Sequence, residues 1–141
     1  MMRQSRRELF LNLPVTDLRR AKEFFARLGF EFDPHFTDER AACMIVSDHA
    51  YVMLITQGFF TTFTKRPLAD TRAVTEGIFA YSCASRAEVD RTVNQALAAG
   101  GRRALDPVDH GFMYSASFYD LDGHQWEVLW MDPATVGGAA A

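Results

Sequence analysis

Near the end of the chain a carboxylate stands in the middle of an apolar strand. The stretch is Asp120-Leu121-Asp122-Gly123-His124-Gln125-Trp126-Glu127-Val128-Leu129-Trp130. Asp-x-Asp-Gly marks a tight turn, because Gly supplies the positive φ such a turn needs. The residues after it alternate, with Gln125, Glu127 and Leu129 on one face and Trp126, Val128 and Trp130 on the other. An acid so placed either faces solvent on an open sheet or points into a cavity. In a cavity it would bind a cationic or hydrogen-bonding ligand, or act as a general base whose apolar surroundings raise its pKa. The plainer reading is an acid paired with an Arg or with a hydroxyl such as that of Tyr114, since buried acids are rare unless paired. His110 and His124 lie near Tyr114 in sequence and could join it around a metal ion. They lack a ligand spacing, and loop histidines more often serve as surface or hydrogen-bonded residues. His35 and His49 read the same way. Trp126 and Trp130, facing away from Glu127, read as packing under a helix or at a subunit interface.

Composition narrows the function classes. With 141 residues, 48% of them hydrophobic and 23% charged, the chain is an ordinary globular domain. Its 12 Phe, 4 Tyr and 2 Trp supply core area and could line a small-molecule pocket. The net charge of −3, with basic residues adjacent only in pairs such as Arg6-Arg7 and Arg102-Arg103, gives no nucleic-acid footprint. Cys43 and Cys83 sit far apart in apolar segments and read as buried free thiols of a reducing compartment. No long apolar run follows Met1 to Glu8, so no secretory leader is expected, and no run is long enough for a membrane span. A cytoplasmic location is the expectation.

The elements that must position Glu127 repeat. Leu9 to Val15 reads as a strand, with Pro14 marking an edge or a terminus. Thr16 or Asp17 caps a helix striped by Leu18, Ala21, Phe25 and Leu28 with Phe24 beside them, and Gly29 stops it. Phe30 to Phe32 forms a short strand, and Ala41 to Val46 and Tyr51 to Thr56 a hairpin. After the irregular stretch 57–76, which predicts a helical turn, a lid or a partly mobile loop, the plan returns. Ile78 to Cys83 is a strand, and Ser85-Arg86-Ala87-Glu88 a capping box. Val89, Val93, Ala96 and Leu97 stripe a second helix that Gly100-Gly101 ends. Arg103 to Leu105, Phe112 to Phe118 and Gln125 to Met131 follow as strands. The order β-α-β-β-β thus occurs twice, with the helix entries 68 residues apart and the helix stops 71 apart, counted as 85 − 17 and 100 − 29. One domain of two modules, about 8–57 and 77–132, is expected, with 58–76 connecting them and 133–141 a frayed tail. Phe59, Phe60 and Phe63 would either dock the connecting segment on the sheet or close over a ligand.

Two motifs carry a family resemblance. Val15-Thr16-Asp17-Leu18 with Glu23-Phe24-Phe25 and Leu28-Gly29-Phe30 resembles the first-module signature of the vicinal oxygen chelate superfamily, and Asp120 to Glu127 resembles its last-strand signature. This superfamily includes glyoxalase I, extradiol dioxygenases, fosfomycin-resistance enzymes and bleomycin-resistance proteins. The resemblance spans about residues 8–132. It implies an α+β fold of two βαβββ modules whose curved sheets enclose a central cavity. It also implies a divalent metal there, held by His and Glu side chains from up to four strands. Carried over residue by residue, the four positions are Phe10, Met53, Ile78 and Glu127, and only Glu127 is a donor. A Phe, a Met and an Ile cannot hold a hard or borderline cation.

The expectation is therefore a metal-independent protein of the bleomycin-resistance type that binds a small hydrophobic or amphiphilic ligand. Phe10, Asn12, Met53, Ile78, Tyr114 and Glu127 would be its contacts, and it would need no cofactor. Asn12, two residues from Phe10 on the same face, is either a polar anchor for the ligand or an amide bridging backbone groups. The alternative is a lyase, isomerase or dioxygenase with relocated metal ligands, or with Glu127 as its acid/base. A packed module that takes no ligand stands as a third reading. A homodimer is expected from the family plan and from the exposed sheet edges of such modules.

Overall fold

The computed structural model describes residues 7–135. The chain divides after Leu68 into two compact units, each an α+β module whose sheet has one helix-covered face and one open face.

In the first unit β1 (Leu9–Val15) pairs in parallel with β4 (Ala50–Thr56), which pairs with β3 (Ala41–Ser47), which pairs with β2 (Glu31–Asp33). The crossover between β1 and β2 is α1 (Leu18–Arg27). It begins where it does because the Asp17 carboxylate accepts the Arg20 N–H at 3.1 Å, satisfying a donor that has no partner within the helix. It ends at Gly29, where φ is +100°, a conformation nearly free only to glycine. Its stripe of Leu18, Ala21, Phe24 and Phe25 is buried on the side of the sheet that carries Leu13, Val15, Met44, Val52 and Leu54, all buried as well. Each large apolar side chain so covered contributes roughly 1.5–3 kcal/mol. The two phenylalanines of the stripe meet edge to face at 5.0 Å.

The second unit repeats the plan. β5 (Ile78–Ser82) pairs in parallel with β9 (Gln125–Met131), which pairs with β8 (Met113–Tyr119). Beyond β8 lie the two-residue strands β6 (Arg102–Arg103) and β7 (Val108–Asp109). The crossover helix, numbered α3 below (Arg86–Ala98), follows a short α2 of the first unit (Gln57–Phe60). The predicted capping box forms at α3. The Ser85 hydroxyl accepts the Glu88 N–H at 3.0 Å, and the Glu88 carboxylate accepts the Ala84 N–H at 2.5 Å. Val89, Val93 and Ala96 then pack over the sheet face bearing Ala116, Phe118, Trp126 and Val128. Arg86 joins the start of α3 to the β7 end of the sheet. Its guanidinium lies over Trp130 at 4.9 Å and donates to Asp109 Oδ2 at 2.6 Å and to the Gly111 carbonyl at 2.8 Å.

Several expectations shift. β2 lies one residue later than read, β6 stops at Arg103, and β7 was not foreseen, because two-residue strands carry no periodicity to read. The irregular stretch is divided. Gln57 to Phe63 forms α2 and a 3-10 turn, with the Arg40 guanidinium 4.2 Å from the centre of the Phe59 ring. Residues 69–76 belong to the second unit. The tail turns at Asp132, whose carboxylate and carbonyl accept from Ala134 and Thr135. The rest of the expected frayed tail, 136–141, lies outside the described residues. Cys43 is buried but Cys83 only half-buried, and both are free thiols. Neither sheet closes into a barrel. Among the described residues no helix is long and apolar enough to cross a membrane.

Candidate functional site

Strand parity decides which side chains are available to a ligand. In the first unit β1 and β4 run parallel with Phe10 opposite Tyr51 and Asn12 opposite Met53, so these four share the face turned away from α1. Phe10, 48% exposed, stacks on the Tyr51 ring at 5.0 Å with 16° between the planes. Asn12 is exposed, and its amide donates to the Phe10 carbonyl at 3.3 Å. That bond ties the amide to one backbone carbonyl. Met53 is half-buried beside them. The result is a shallow aromatic and thioether platform with one amide at its edge.

In the second unit Ile78, Ala80 and Ser82 of β5, Gln125, Glu127 and Leu129 of β9, and Ser115 and Ser117 of β8 share the face turned away from α3. Ile78 is 54% exposed. Glu127, half-buried, stands between Ala80 and Ser117. Ser117 itself is buried and accepts the Leu105 N–H at 2.9 Å. No described residue forms a hydrogen bond or ion pair with the Glu127 carboxylate. The mid-strand acid therefore lies on an open face, and the pairing with Arg or Tyr that the sequence also allowed is not formed.

Tyr114 does not join it. The β8–β9 register places Tyr114 opposite Trp130, on the α3 side, where its hydroxyl donates to Asp90 Oδ1 at 2.6 Å. The Asp90 carboxylate holding that proton raises the phenol pKa. Ser115, the next residue, shares the face of Glu127 and Tyr114 the opposite one, so the sequence reading of Tyr114 as a ligand contact is corrected by parity. The loop histidines do not converge either. His110 is exposed with its ring 6.3 Å from Phe112, while the backbone N–H of His35 donates to Asp33. His124, read at the turn as a surface or hydrogen-bonded residue, is 2% exposed and bonds Glu76 Oε1 through Nδ1 at 2.7 Å. Among the described residues no three His, Cys, Asp or Glu side chains gather as a metal-ion site requires, and Phe10, Met53 and Ile78 offer no donor for one.

One functional-looking residue escaped the sequence reading. Asp120, read only as a turn residue, is buried. Its Oδ1 accepts the N–H groups of Asp122 and His124, and its Oδ2 accepts the Trp126 indole N–H at 2.9 Å. Burial pushes its carboxyl up to about 6 against the pull of His124 and these donors. Trp126, predicted to face away from Glu127, is the hub of this core and touches the rings of Phe79 and Tyr81.

Comparison with known proteins fits this architecture. Residues 7–47 match the bleomycin resistance protein-like N-terminal family model. The chain is similar to the solved structure of the hypothetical protein SA1046 from S. aureus at 30% identity, with a TM-score of 0.75 over 92% of this chain and 95% of that one. A glyoxalase/bleomycin resistance protein/dioxygenase family enzyme from Burkholderia phytofirmans PsJN shares the fold at 13% identity, with a TM-score of 0.72 over 86% and 96%. The fosfomycin resistance protein FosX from Mesorhizobium loti does so at 18% identity, with a TM-score of 0.63 over the whole of both chains. No curated protein matches the chain.

Proposed function

This chain belongs to the vicinal oxygen chelate superfamily, the glyoxalase, bleomycin-resistance and dioxygenase group, and on that premise we propose that it binds a small molecule without a metal. The observation that carries the reading is the side-chain set on the open faces. Where the resemblance calls for His or Glu, the first sheet presents Phe10 stacked on Tyr51, with Met53 alongside, and the second presents Ile78. Such surfaces attract flat apolar groups by dispersion and ring stacking, and they have no affinity for a hydrated dication. Glu127 remains as the polar contact. An unpaired, half-buried carboxylate selects a ligand with a cationic or hydrogen-bond-donating group. A ligand of the second sheet is thus amphiphilic, with an apolar body against Ile78 and one donor for Glu127, while the first sheet offers Phe10, Tyr51 and Met53 to a flat apolar group. Asn12 serves at most as a secondary contact, because its amide already bonds the Phe10 carbonyl.

The test is a thermal-shift and calorimetric screen of amphiphilic cations and their neutral analogues in the presence of chelator. A cationic ligand is expected to bind more tightly than its neutral analogue. Glu127→Gln is expected to weaken it by about tenfold, or about 1.4 kcal/mol. Binding that disappears when chelator is added would overturn the proposal. So would turnover that Glu127→Gln abolishes while leaving binding intact, in favour of acid–base catalysis by Glu127.

A further inference from the structure

A buried polar cluster lies at the turn that precedes β9. We propose that His124, Glu76 and Asp120 form a proton-holding clasp, which fastens residues 69–76 to the Asp120–His124 turn and loosens as the imidazole proton leaves.

Residues 69–76 carry little packing of their own. From Arg72 to Glu76 every residue is exposed, and the backbone closes only one turn, with Ala73 and Val74 donating to the Asp70 carbonyl. Two side-chain links hold this stretch to the turn. The Thr71 hydroxyl donates to the Asp122 carbonyl, and Glu76 Oε1 meets His124 Nδ1 at 2.7 Å. The Glu76 side chain is 27% exposed and that of His124 2%, so water can reach the carboxylate but not the ring. Gly123, between them, has no side chain to hold Thr71 away.

The charges facing this imidazole set the direction of the switch. Glu76 comes from the incoming stretch, and Asp120 from the turn itself. The rings packed against the cluster, Phe79 of β5 and Trp126 of β9, are uncharged. With its proton the imidazole is the cation between acidic groups, and the buried contact to Glu76 is an ion pair. Without it, Glu76 keeps at most a neutral hydrogen bond, and the buried Asp120 loses the cation beside it. Asp120 acts in the same direction. Its folded-state pKa, raised by burial to about 6 from an ordinary 3.8, makes its contribution complete below the unfolded value and lost as pH rises through about 6. Rising pH therefore loosens the clasp, and acid tightens it. The consequence falls on the entry to β5, two residues beyond Glu76.

Hydrogen–deuterium exchange on the full chain, corrected for intrinsic rates, tests this. From about pH 5 to about pH 8, protection of peptides covering 69–77 is expected to fall by about tenfold, while that of α1 peptides stays constant. Glu76→Gln keeps the shape of the side chain and a hydrogen bond to the ring but removes the charge, so it should leave 69–77 only the weaker pH dependence that Asp120 supplies. His124→Gln should do the same. The clasp is refuted if 69–77 keeps constant protection in the wild type. It is refuted equally if Glu76→Gln, the partly exposed position that leaves the buried ring in place, lowers protection but retains the wild-type dependence on pH. That outcome would mark a purely structural contact.

Discussion

Replacing Trp126 by Ala is expected to remove about 3–5 kcal/mol of stability, the largest loss of any single change at the open faces or the turn. The ring is 2% exposed and fills the space between α3 and the β5–β9 pair, touching Phe79 and Tyr81. Truncation leaves a cavity the size of an indole. It also takes the N–H donor from Asp120 Oδ2, and a buried carboxylate short of a donor costs a further share. In a domain of this size the midpoint of thermal unfolding should fall on the order of 10 °C or more. Trp126→Phe separates the two parts. It restores most of the apolar volume but not the donor, and should cost about 1–3 kcal/mol. Denaturant unfolding of the three proteins measures both. A loss under about 1 kcal/mol for the Ala variant would mean that the indole is not the packed hub described above.

The second large effect is expected at Gly123. Its φ is +80°, where an L side chain costs about 1–2 kcal/mol. A Cβ there would stand 3.0 Å from both the carbonyl oxygen and the hydroxyl of Thr71 and 3.3 Å from its carbonyl carbon. Backbone must move to relieve that contact, so Gly123→Ala should cost about 2–3 kcal/mol in all. Gly29→Ala provides the control, because φ is +100° there and nothing lies within 4 Å of the added Cβ. It should cost only the backbone share. Equal losses at the two glycines, measured by urea unfolding, would remove the Thr71 contact from the account.

These two positions also show what a sequence can disclose. Gly123 was legible, because Asp-x-Asp-Gly has a single local meaning and the turn forms as that meaning requires. Asp17, Ser85, Gly29 and Gly100 were legible for the same reason, and with them the repeated module. The faces were legible wherever one strand's alternation sufficed, as for Glu127 against Trp126. They failed where a register was needed. Tyr114 could be aligned with Glu127 only by knowing that Ser117 stands opposite it, and that pairing is a long-range fact with no trace in the β8 segment alone. The burial of Asp120 and His124 was illegible for a different reason. Both looked like polar turn residues, yet they are buried because Trp126 and Glu76 satisfy them, and a partner 48 residues away leaves no local signal. The residues at the metal-type positions were legible only through the family resemblance, since nothing about Phe10, Met53 or Ile78 in isolation suggests a former ligand position.

Our proposal of binding without a metal rests on Phe10, Met53 and Ile78, which stand where the family resemblance calls for donors. Elemental analysis of untagged protein, purified without chelator and then exchanged into metal-free buffer, tests it most directly. The account predicts zinc, nickel, iron and manganese each far below about one ion per chain, with the melting temperature unchanged by EDTA. About one tightly held ion per chain, together with a melting temperature that falls when the ion is stripped, would contradict it.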